Sequence, residues 1–272
     1  MRPSFIAGSF FALTKLLPRL RPALWRFWYD SLASRDAAGH LLFMNYGYAD
    51  EGPALSLLPA DERFRYAIQL YAHVVSTIDI KNRDILEVGC GRGGGGSFYI
   101  RYLNPRSYIG VDLSDAAIAW CRRQLVFPNA QWICARADKI PVPDSSVDVL
   151  INVESSHTYP SMSDFLKEAA RVLRPGGYFA FCDVRIAEHI PELDQQLNAS
   201  ELTRVAYREI TKNVLSALDG ITPQREEQIT TQVPPMFQAA FRDFAGVRNS
   251  VLYDMMVANK LRYVCCLLQK PN

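Results

Sequence analysis

The sequence predicts an α/β fold: an open, mostly parallel sheet with helices on both faces and a helical cap. Two observations predict this class. Short apolar runs of the kind that is buried on both faces recur along the chain, and segments of helical spacing separate them. Because a parallel strand needs a crossover that returns the chain to the same edge, this alternation favours parallel pairing. The runs that predict strands are 85–88, 108–111, 132–134, 147–153 and 178–184.

The helices between these runs are predicted from spacing and from the residues that begin and end them. Residues 61–78 carry apolar side chains at helical intervals. Ser114 is expected to cap a helix after the second strand, and Ser161 with Asp164 resembles a capping box before another. The Pro-Gly-Gly at 175–177 should end that last helix.

The places where the strand signal starts and stops predict four segments. Residues 1–60 are expected to form a helical lid, and 61–185 the core that holds the sheet. From 186 to 250 polar helical periodicity replaces the strand pattern, which predicts a helical cap. Residues 251–272 predict a C-terminal helix and a strand at the edge of the sheet.

Composition excludes several classes of protein. The hydrophobic content is 49%, enough to bury a full core. The 30 Lys and Arg nearly balance the 28 Asp and Glu, so no global field steers the chain to nucleic acid. The six cysteines show neither CxxC nor Cys/His metal spacing. We therefore expect reduced core thiols in a cytoplasmic protein.

The N-terminal stretch is the one candidate for targeting. Residues 5–13 are mostly apolar but much shorter than a membrane span, which disfavours a signal peptide. Residues 15–29 mix arginine and lysine with large apolar side chains. We expect a helix packed on the body of the protein, and peripheral contact with a membrane surface is the alternative.

A glycine-rich turn, LEVGCGRGGGGS at 86–97, follows the first predicted strand. Open parallel sheets bind ligands beyond the carboxyl ends of their strands, where backbone amides and a helix N-terminus meet. Gly89, Gly91 and Gly94 satisfy GxGxxG, which alone is a weak signal, and no GxxxxGK followed by Ser or Thr is present. The remaining candidate ligands are a dinucleotide and another adenosine-containing molecule. Asp112 after the second strand suits either one, because an acidic residue there can bind ribose hydroxyls.

Glu87, directly before the turn, favours one of these ligands. A carboxylate beside a diphosphate repels it, by several kcal/mol in a dry site. S-adenosyl-L-methionine carries no phosphate but has an ammonium and a sulfonium that Glu87 could complement, while the glycine amides hold its carboxylate. The sequence therefore predicts S-adenosyl-L-methionine as the cofactor.

The order of motifs resembles a known family. ILEVGCGRGG, YIGVDLS, ARADKIPVPDSSVDVLINVESSH and VLRPGGYFAF are similar to the motifs of class I S-adenosylmethionine-dependent methyltransferases, over about residues 60–184. LLFMNYGYADE, NVESSHTYP and LRYVCCLLQK resemble the mycobacterial phthiotriolone dimycocerosate methyltransferases and related natural-product O-methyltransferases. The resemblance implies a Rossmann-like core and an enzyme that transfers a methyl group.

The resemblance also implies which residues hold the methionine end of the cofactor. Gly89 and Gly91 would line it, and the backbone carbonyl of Asn152 would accept from its ammonium. Tyr46 and Tyr48 are similar to lid tyrosines that cover the cofactor in such enzymes. The alternative is that both tyrosines are packed aromatic residues.

The adenosine end is implied by the same motifs. Asp112 would bind both ribose hydroxyls, and Leu113 would pack on adenine. Asp138 and the neighbouring backbone of Lys139 would contact the adenine edge.

Three residues at the ends of the fourth and fifth strands are candidates for catalysis. A hydroxyl acceptor must lose its proton, and an imidazole that titrates near neutrality suits that task. His157 follows the fourth strand, where it could face the transferred methyl group. Asp183 could orient His157 or contact the substrate, with capping of the next turn as its structural alternative; Glu154 could serve in either way.

The acceptor is predicted from the segments that flank the core. The DNA-modifying enzymes of the family carry an Asn-Pro-Pro-Tyr type motif after the fourth strand. This chain lacks that motif, which disfavours nucleic acid as the acceptor. No acidic cluster suggests a metal site. The aromatic and aliphatic residues of these segments, which include Phe27, Trp28, Met236, Phe237 and Phe241, predict an apolar pocket. Together with the family resemblance, this pocket favours a lipophilic hydroxylated small molecule as the acceptor.

Other functions stay open at this point. The fold could bind the cofactor and catalyse a cyclisation or isomerisation without methyl transfer, or could methylate carbon. A non-enzymatic module bound to a membrane is a third hypothesis, which only the basic aromatic N-terminus supports. The sequence permits a homo-oligomer without predicting one.

Overall fold

One seven-stranded sheet organises the protein, whose computed structural model describes residues 42–52, 55–233 and 235–272. The spatial order of the strands is β3-β2-β1-β4-β5-β7-β6. The first five of these pair in parallel, whereas β7 runs antiparallel to both β5 and β6. The bounds are Asp84–Val88 for β1, Ser107–Asp112 for β2, Ala130–Cys134 for β3, Val147–Val153 for β4, Leu173–Ile186 for β5, Thr203–Glu209 for β6 and Leu261–Gln269 for β7.

Eight α-helices lie in the described part of the chain. Their bounds are Arg65–Val74 for α1, Gly94–Phe98 for α2, Asp115–Gln124 for α3, Met162–Val172 for α4, Ile190–Asn198 for α5, Thr211–Gln232 for α6, Pro235–Ala245 for α7 and Val251–Val257 for α8. Short 3-10 turns precede α1 at Pro59–Phe64, follow β4 at Ser156–Thr158 and follow β5 at Ala187–His189. A π-helical turn at Tyr99–Leu103 continues α2.

Both faces of the sheet are covered, because successive side chains of a strand point to opposite faces. On one face Ile85 belongs to a core that includes Ile68 and Tyr263. On the other face Leu86 packs in a second core with Phe165 and other residues of α4. The predicted α/β class, with an open, mostly parallel sheet between helices, is confirmed.

The predicted central strands and helix starts are found where the sequence indicated. All five apolar runs lie within β1 to β5. The Ser114 hydroxyl accepts from the backbone N–H of Ala117 at the start of α3, and the Ser161 hydroxyl accepts from that of Asp164 at the start of α4. Local capping chemistry thus fixes where these two helices begin.

Two predictions about the C-terminal half are wrong. The cap was expected to be helical throughout, but β6 lies within it, and the last strand was expected at the sheet edge, whereas β7 lies between β5 and β6. Val205, within the segment predicted to be a helical cap, is an exposed residue of β6. The polar β6 is a strand because it pairs with β7, a contact distant in sequence that local periodicity cannot reveal.

The N-terminal predictions fall mostly outside the described residues. The proposed lid helix, its membrane contact, Phe27 and Trp28 all lie within 1–41. The described parts of the predicted lid, 42–52 and 55–60, contain no α-helix, and the 3-10 turn at Pro59–Phe64 begins in the second of them. Within the described ranges, the helices are all too short or too polar to cross a membrane.

Candidate active site

A cavity of about 1110 Å³ opens at the carboxyl ends of β1, β2, β4 and β5. The strand order reverses between β1 and β4, and open α/β sheets form their binding crevice at such a point. The lining residues form two groups according to the elements that carry them, and each group is called an arm below. The glycine-lined arm consists of Gly89–Arg92, Val111–Ser114 and Ala135–Asp138. The second arm consists of residues from the end of β5, from α5 and from α8. Residues 42 and 44–46 form a wall of the cavity.

The turn after β1 has a backbone that requires glycine at Gly89. Its φ is +79°, and a Cβ there would lie 2.1 Å from the Ser155 hydroxyl oxygen. The backbone N–H of Gly91 donates to Asp112 Oδ2 at 2.8 Å, and that of Ser114 donates to Asp112 Oδ1 at 2.8 Å. Asp112 therefore joins the glycine turn to the end of β2 while lining the cavity.

The run of four glycines, Gly93–Gly96, allows α2 to pack closely against its neighbours. A Cβ on Gly94 would meet the Leu42 carbonyl oxygen at 2.6 Å, and one on Gly96 would meet the Tyr108 ring at 2.4 Å. A Cβ on Gly95 would lie 2.7 Å from Glu87 Oε1. The missing side chains let α2 lie directly on β1 and β2.

Glu87 was expected to complement a ligand cation directly or through water, but it is not among the described residues that line the cavity. Its side chain is fully buried beneath α2, where it accepts a hydrogen bond from the Tyr108 hydroxyl. Burial raises the pKa of Glu87 to about 8, against the opposing effect of the Tyr108 hydrogen bond. The carboxyl is thus mostly protonated at neutral pH, and the case for the cofactor rests on other residues.

Buried Glu87 predicts a stability that falls as pH rises. Its pKa in the folded state, about 8, lies above the ordinary 4.5, so the folded state holds the proton more tightly between these values. The unfolding free energy should therefore fall across this window by up to about 1.4 kcal/mol per pH unit because of this group. Glu87→Gln should remove that slope, as measured by urea unfolding at several pH values. Exposed Glu188→Gln is the control, and equal slopes in both variants would contradict the assignment.

Of the four residues predicted at the adenosine end, three line the cavity. Asp112, Leu113 and Asp138 face it. Arg136 pairs with the Asp138 carboxylate and holds its pKa below the usual value. Lys139 is exposed and away from the cavity, and its backbone N–H donates to the Arg136 carbonyl within a turn. The predicted contacts of these four residues with adenosine stay predictions, and Lys139 is the one of them that is not among the residues lining the cavity.

Asn152 is a support beneath the site. Its side chain is fully buried, and Nδ2 lies 2.8 Å from the Val88 carbonyl oxygen, 2.8 Å from the Ser155 hydroxyl and 2.9 Å from the Tyr159 hydroxyl. These bonds hold the loop after β4 against the end of β1. Asn152 is not among the described residues that line the cavity, whereas Ser155 and Tyr159 are.

The two predicted lid tyrosines have different positions. Tyr46 lines the cavity, and its hydroxyl donates to the Phe244 carbonyl of α7 at 3.3 Å. Tyr48 is buried outside the cavity and stacks on His73 with ring centroids 4.0 Å apart. Tyr46 is placed to cover a ligand, and Tyr48 has the alternative role of a packed aromatic residue.

His157, which lines the cavity, forms a hydrogen-bonded pair with the fully buried Asp183. His157 Nδ1 lies 2.7 Å from Asp183 Oδ1, and its backbone N–H donates to Oδ2 at 2.9 Å. Burial alone would raise the pKa of Asp183, but Arg185 and His157 hold it well below its usual value. An ionised carboxylate only accepts, so the neutral imidazole carries its proton on Nδ1 and its basic lone pair on Nε2.

Sequence reasoning missed two residues that hold this pair. The Ser156 hydroxyl donates to Asp183 Oδ2 at 2.6 Å, and Arg185 Nη1 lies 2.8 Å from the same oxygen. Arg185 Nη2 also donates to the Ser156 hydroxyl at 2.6 Å. A basic residue two positions after Asp183 points to the same face of a strand, and this spacing was the available signal.

Glu154, the third catalytic candidate, contacts the lid segment. Its φ is +47°, and Oε1 accepts the backbone N–H of Tyr46 at 2.8 Å. Burial raises the pKa of Glu154 to about 8, although its hydrogen bonds with Tyr263 and Tyr46 oppose the rise. Its carboxyl lines the cavity but is engaged in holding Tyr46.

The cap residues predicted to form an apolar pocket are only partly accounted for. Phe241 lies in α7 but not among the cavity-lining residues, and the described side chains do not include Met236 or Phe237. The apolar lining comes from elsewhere in the same segments, namely from Ile186, Leu193, Phe244, Leu252, Met255 and Leu261.

Comparisons with known proteins fit this site. Residues 86–181 match the family described as methyltransferase domain. The protein named probable phthiotriol/phenolphthiotriol dimycocerosates methyltransferase 2, from Mycobacterium ulcerans, is 38% identical over 85% of this chain and 90% of its own length. The fatty-acid O-methyltransferase of Mycolicibacterium smegmatis is 34% identical over 85% of this chain and 84% of its own.

The fold is shared with a more distant enzyme. A geranyl diphosphate C-methyltransferase from Streptomyces coelicolor A3(2), solved with Mg²⁺, geranyl diphosphate and S-adenosyl-L-homocysteine, aligns with a TM-score of 0.62 at 15% identity. The alignment covers 89% of this chain and 97% of that one. With the two relatives that match most of its length, this chain belongs to the methyltransferase family, as its motifs predicted.

Proposed function

We propose that this protein transfers the methyl group of S-adenosyl-L-methionine to a hydroxyl of a lipophilic small molecule, with His157 as general base. The hydrogen bond between Asp183 and His157, which lines the same cavity as the glycine turn, carries the proposal. When bound, the cofactor supplies a methyl group already activated on a sulfonium.

The glycine-lined arm fits such a cofactor. The turn at Gly89 is open only because no Cβ fills the space beside Ser155. Asp112 presents a carboxylate to the same arm, and a carboxylate at the end of the second strand suits the hydroxyls of a ribose. Leu113 offers an apolar surface for a base, and Tyr46 would cover the ligand. The fold neighbour from Streptomyces coelicolor was solved with S-adenosyl-L-homocysteine, the form that this cofactor takes after it has lost its methyl group, which supports the same assignment.

The His157–Asp183 pair supports an acceptor that must lose a proton. Asp183 holds the imidazole so that Nε2 is the basic nitrogen, and Nε2 would take the proton of an acceptor hydroxyl. A carboxylic acid is already ionised at neutral pH and needs no base. The pair thus favours a hydroxyl, as in the phthiotriol named for one relative, over the carboxyl named for the other.

The second arm supports a lipophilic acceptor. Its walls include the apolar side chains of Ile186, Leu193, Leu252, Met255 and Leu261, beside the polar His189, Glu192 and Gln196. Near the reacting end, Arg185 is paired with Asp183, so a neutral His157 leaves the cluster without net charge. A neutral, apolar molecule with one buried hydroxyl suits this environment better than an anion.

The cysteines support a location in the cytoplasm. Five of the six cysteines are buried, as expected for core thiols of a cytoplasmic protein. Nucleic acid is not proposed as a substrate.

Methyl transfer can be tested without knowing the acceptor. The purified protein is incubated with S-adenosyl-L-methionine labelled in its methyl group and a lipid extract of the source organism, and products are analysed by mass spectrometry. We expect one labelled lipid that is heavier than its precursor by one methylene group, with the labelled methyl group bound to an ether oxygen. A label on carbon indicates C-methylation, and a rearranged product of unchanged mass indicates cyclisation or isomerisation. Either result would overturn the proposal.

A further inference from the structure

Arg225, in α6, joins the cap to the segment that covers the cavity. Its side chain is partly buried, with Nη1 donating to the Ala245 carbonyl at 2.5 Å and Nη2 donating to the Asn45 carbonyl at 3.1 Å. Ala245 is the last residue of α7, whereas Asn45 lies in the described part of the lid. One guanidinium thus binds two chain segments that are far apart in sequence.

Tyr46 makes a second connection beside the first. Its hydroxyl donates to the Phe244 carbonyl at 3.3 Å, and its backbone N–H donates to Glu154 Oε1 at 2.8 Å. The turn after α7 packs on its ring, since a Cβ on Gly246 would lie 3.3 Å from Tyr46 Cε1. Tyr46 is therefore held by the core on one side and by the cap on the other.

These contacts join residues that line the cavity. Asn45, Tyr46 and Glu154 line the cavity, and so does Phe244 from the cap. Arg225 also attracts the Glu154 carboxyl electrostatically when that carboxyl is ionised. A shift of the 45–46 backbone would move the cover of one arm and the wall of the other together.

We propose that Arg225 is a positioning residue that fixes residues 45–46 against the cap, so that the cofactor cover and the acceptor wall act as one body. The planar fork of arginine suits this role, because it reaches two carbonyls in fixed directions and a lysine ammonium does not. The structural part of this proposal stands on contacts alone. Its kinetic part rests on the proposed methyl transfer.

Hydrogen exchange of backbone amides tests the structural part. In Arg225→Met we expect hydrogen exchange at the Tyr46 amide to speed up by about tenfold or more. The substitution removes the charged donor that binds the carbonyls of Ala245 and Asn45, and Asn45 directly precedes Tyr46. The Tyr48 amide, which donates to the Tyr66 carbonyl of α1 at 2.9 Å, should keep its protection and serves as an internal control. Unchanged exchange at Tyr46 would overturn the proposal whether or not the protein is a methyltransferase.

Arg242→Met is the matched control. Arg242 also links α6 to α7, through Glu226 at 2.8 Å, but its side chain is 35% exposed and the residue does not line the cavity. We expect wild-type exchange at Tyr46 in this variant. Equal effects of the two substitutions would mean that Arg225 merely stabilises the cap, which overturns the proposal. If Arg225→Met does not fold, Arg225→Gln is measured by the same criteria.

Binding and kinetics test the functional part. We expect Arg225→Met to weaken the affinity for S-adenosyl-L-homocysteine, measured by calorimetry, by about tenfold, and to raise the acceptor KM more than it lowers kcat. Arg225→Lys should recover only part of the loss. A variant with faster exchange at Tyr46 but wild-type affinity and KM would contradict the coupling of the two arms. Failure of all methyl transfer in the wild-type protein would instead refute the proposed function.

Discussion

Replacing His157 by alanine is expected to lower kcat by about 10²-fold or more and to leave the affinity for S-adenosyl-L-homocysteine unchanged. The imidazole is oriented by Asp183 at 2.7 Å, and Nε2 would take the acceptor proton as the new bond to carbon forms. The cofactor arm is built from the glycine turn, β2 and the loop after β3, which His157 does not contribute to. A loss in kcat without a loss in binding therefore separates proton removal from cofactor binding.

Two measurements distinguish a base from a structural histidine. Added imidazole should restore part of the activity of His157→Ala, because a free base can occupy the space that the substitution leaves. His189→Ala is the control, since His189 also lines the cavity but is exposed at its rim, and its kcat should stay near that of the wild type. A rate for His157→Ala within a few fold of wild type would show that the acceptor loses its proton elsewhere.

The sequence predicts that His157 and Asp183 lie close together because both are near the carboxyl ends of predicted parallel strands. His157 follows β4, and Asp183 lies in β5 directly after Cys182, the last residue that pairs with β4, so both are at the same edge of the parallel sheet. Ser114 and Ser161 are equally local signals, because a cap is decided within four residues. Where the chemistry depends on neighbours in sequence or on neighbouring strands, the prediction therefore agrees with the structure.

Glu87 shows why the rest could not be read in the same way. A strand residue faces one side of the sheet or the other, and Glu87 shares the face of Ile85, under α2. Its proximity in sequence to the glycine turn suggested a ligand contact, but the pleat directs it to Tyr108 instead. Arg225 was missed for a related reason, since its partners Asn45 and Ala245 are brought to it only by the tertiary fold.

Asp112→Ala is expected to weaken the affinity for S-adenosyl-L-homocysteine by about 10²-fold. In the structure the two carboxylate oxygens accept the backbone N–H groups of Gly91 and Ser114, both at 2.8 Å. The substitution therefore removes the group proposed to bind the ribose hydroxyls and also releases the glycine turn from β2. Hydrogen bonds to a charged acceptor are worth about 1.5–3 kcal/mol each, so losing one or two of them accounts for an effect of this size.

Asp112→Asn separates the two contributions. Asparagine keeps one acceptor oxygen and replaces the other by a donor, so either Gly91 or Ser114 keeps its bond, while the charge is lost. We expect an affinity between those of the wild type and Asp112→Ala, measured by calorimetry. Asp164→Asn, whose side chain is 53% exposed on α4, is the control and should bind as the wild type does. Wild-type affinity in Asp112→Ala would place the ribose elsewhere, and with it the cofactor arm, because the arm is defined by Asp112 and the turn that Asp112 holds.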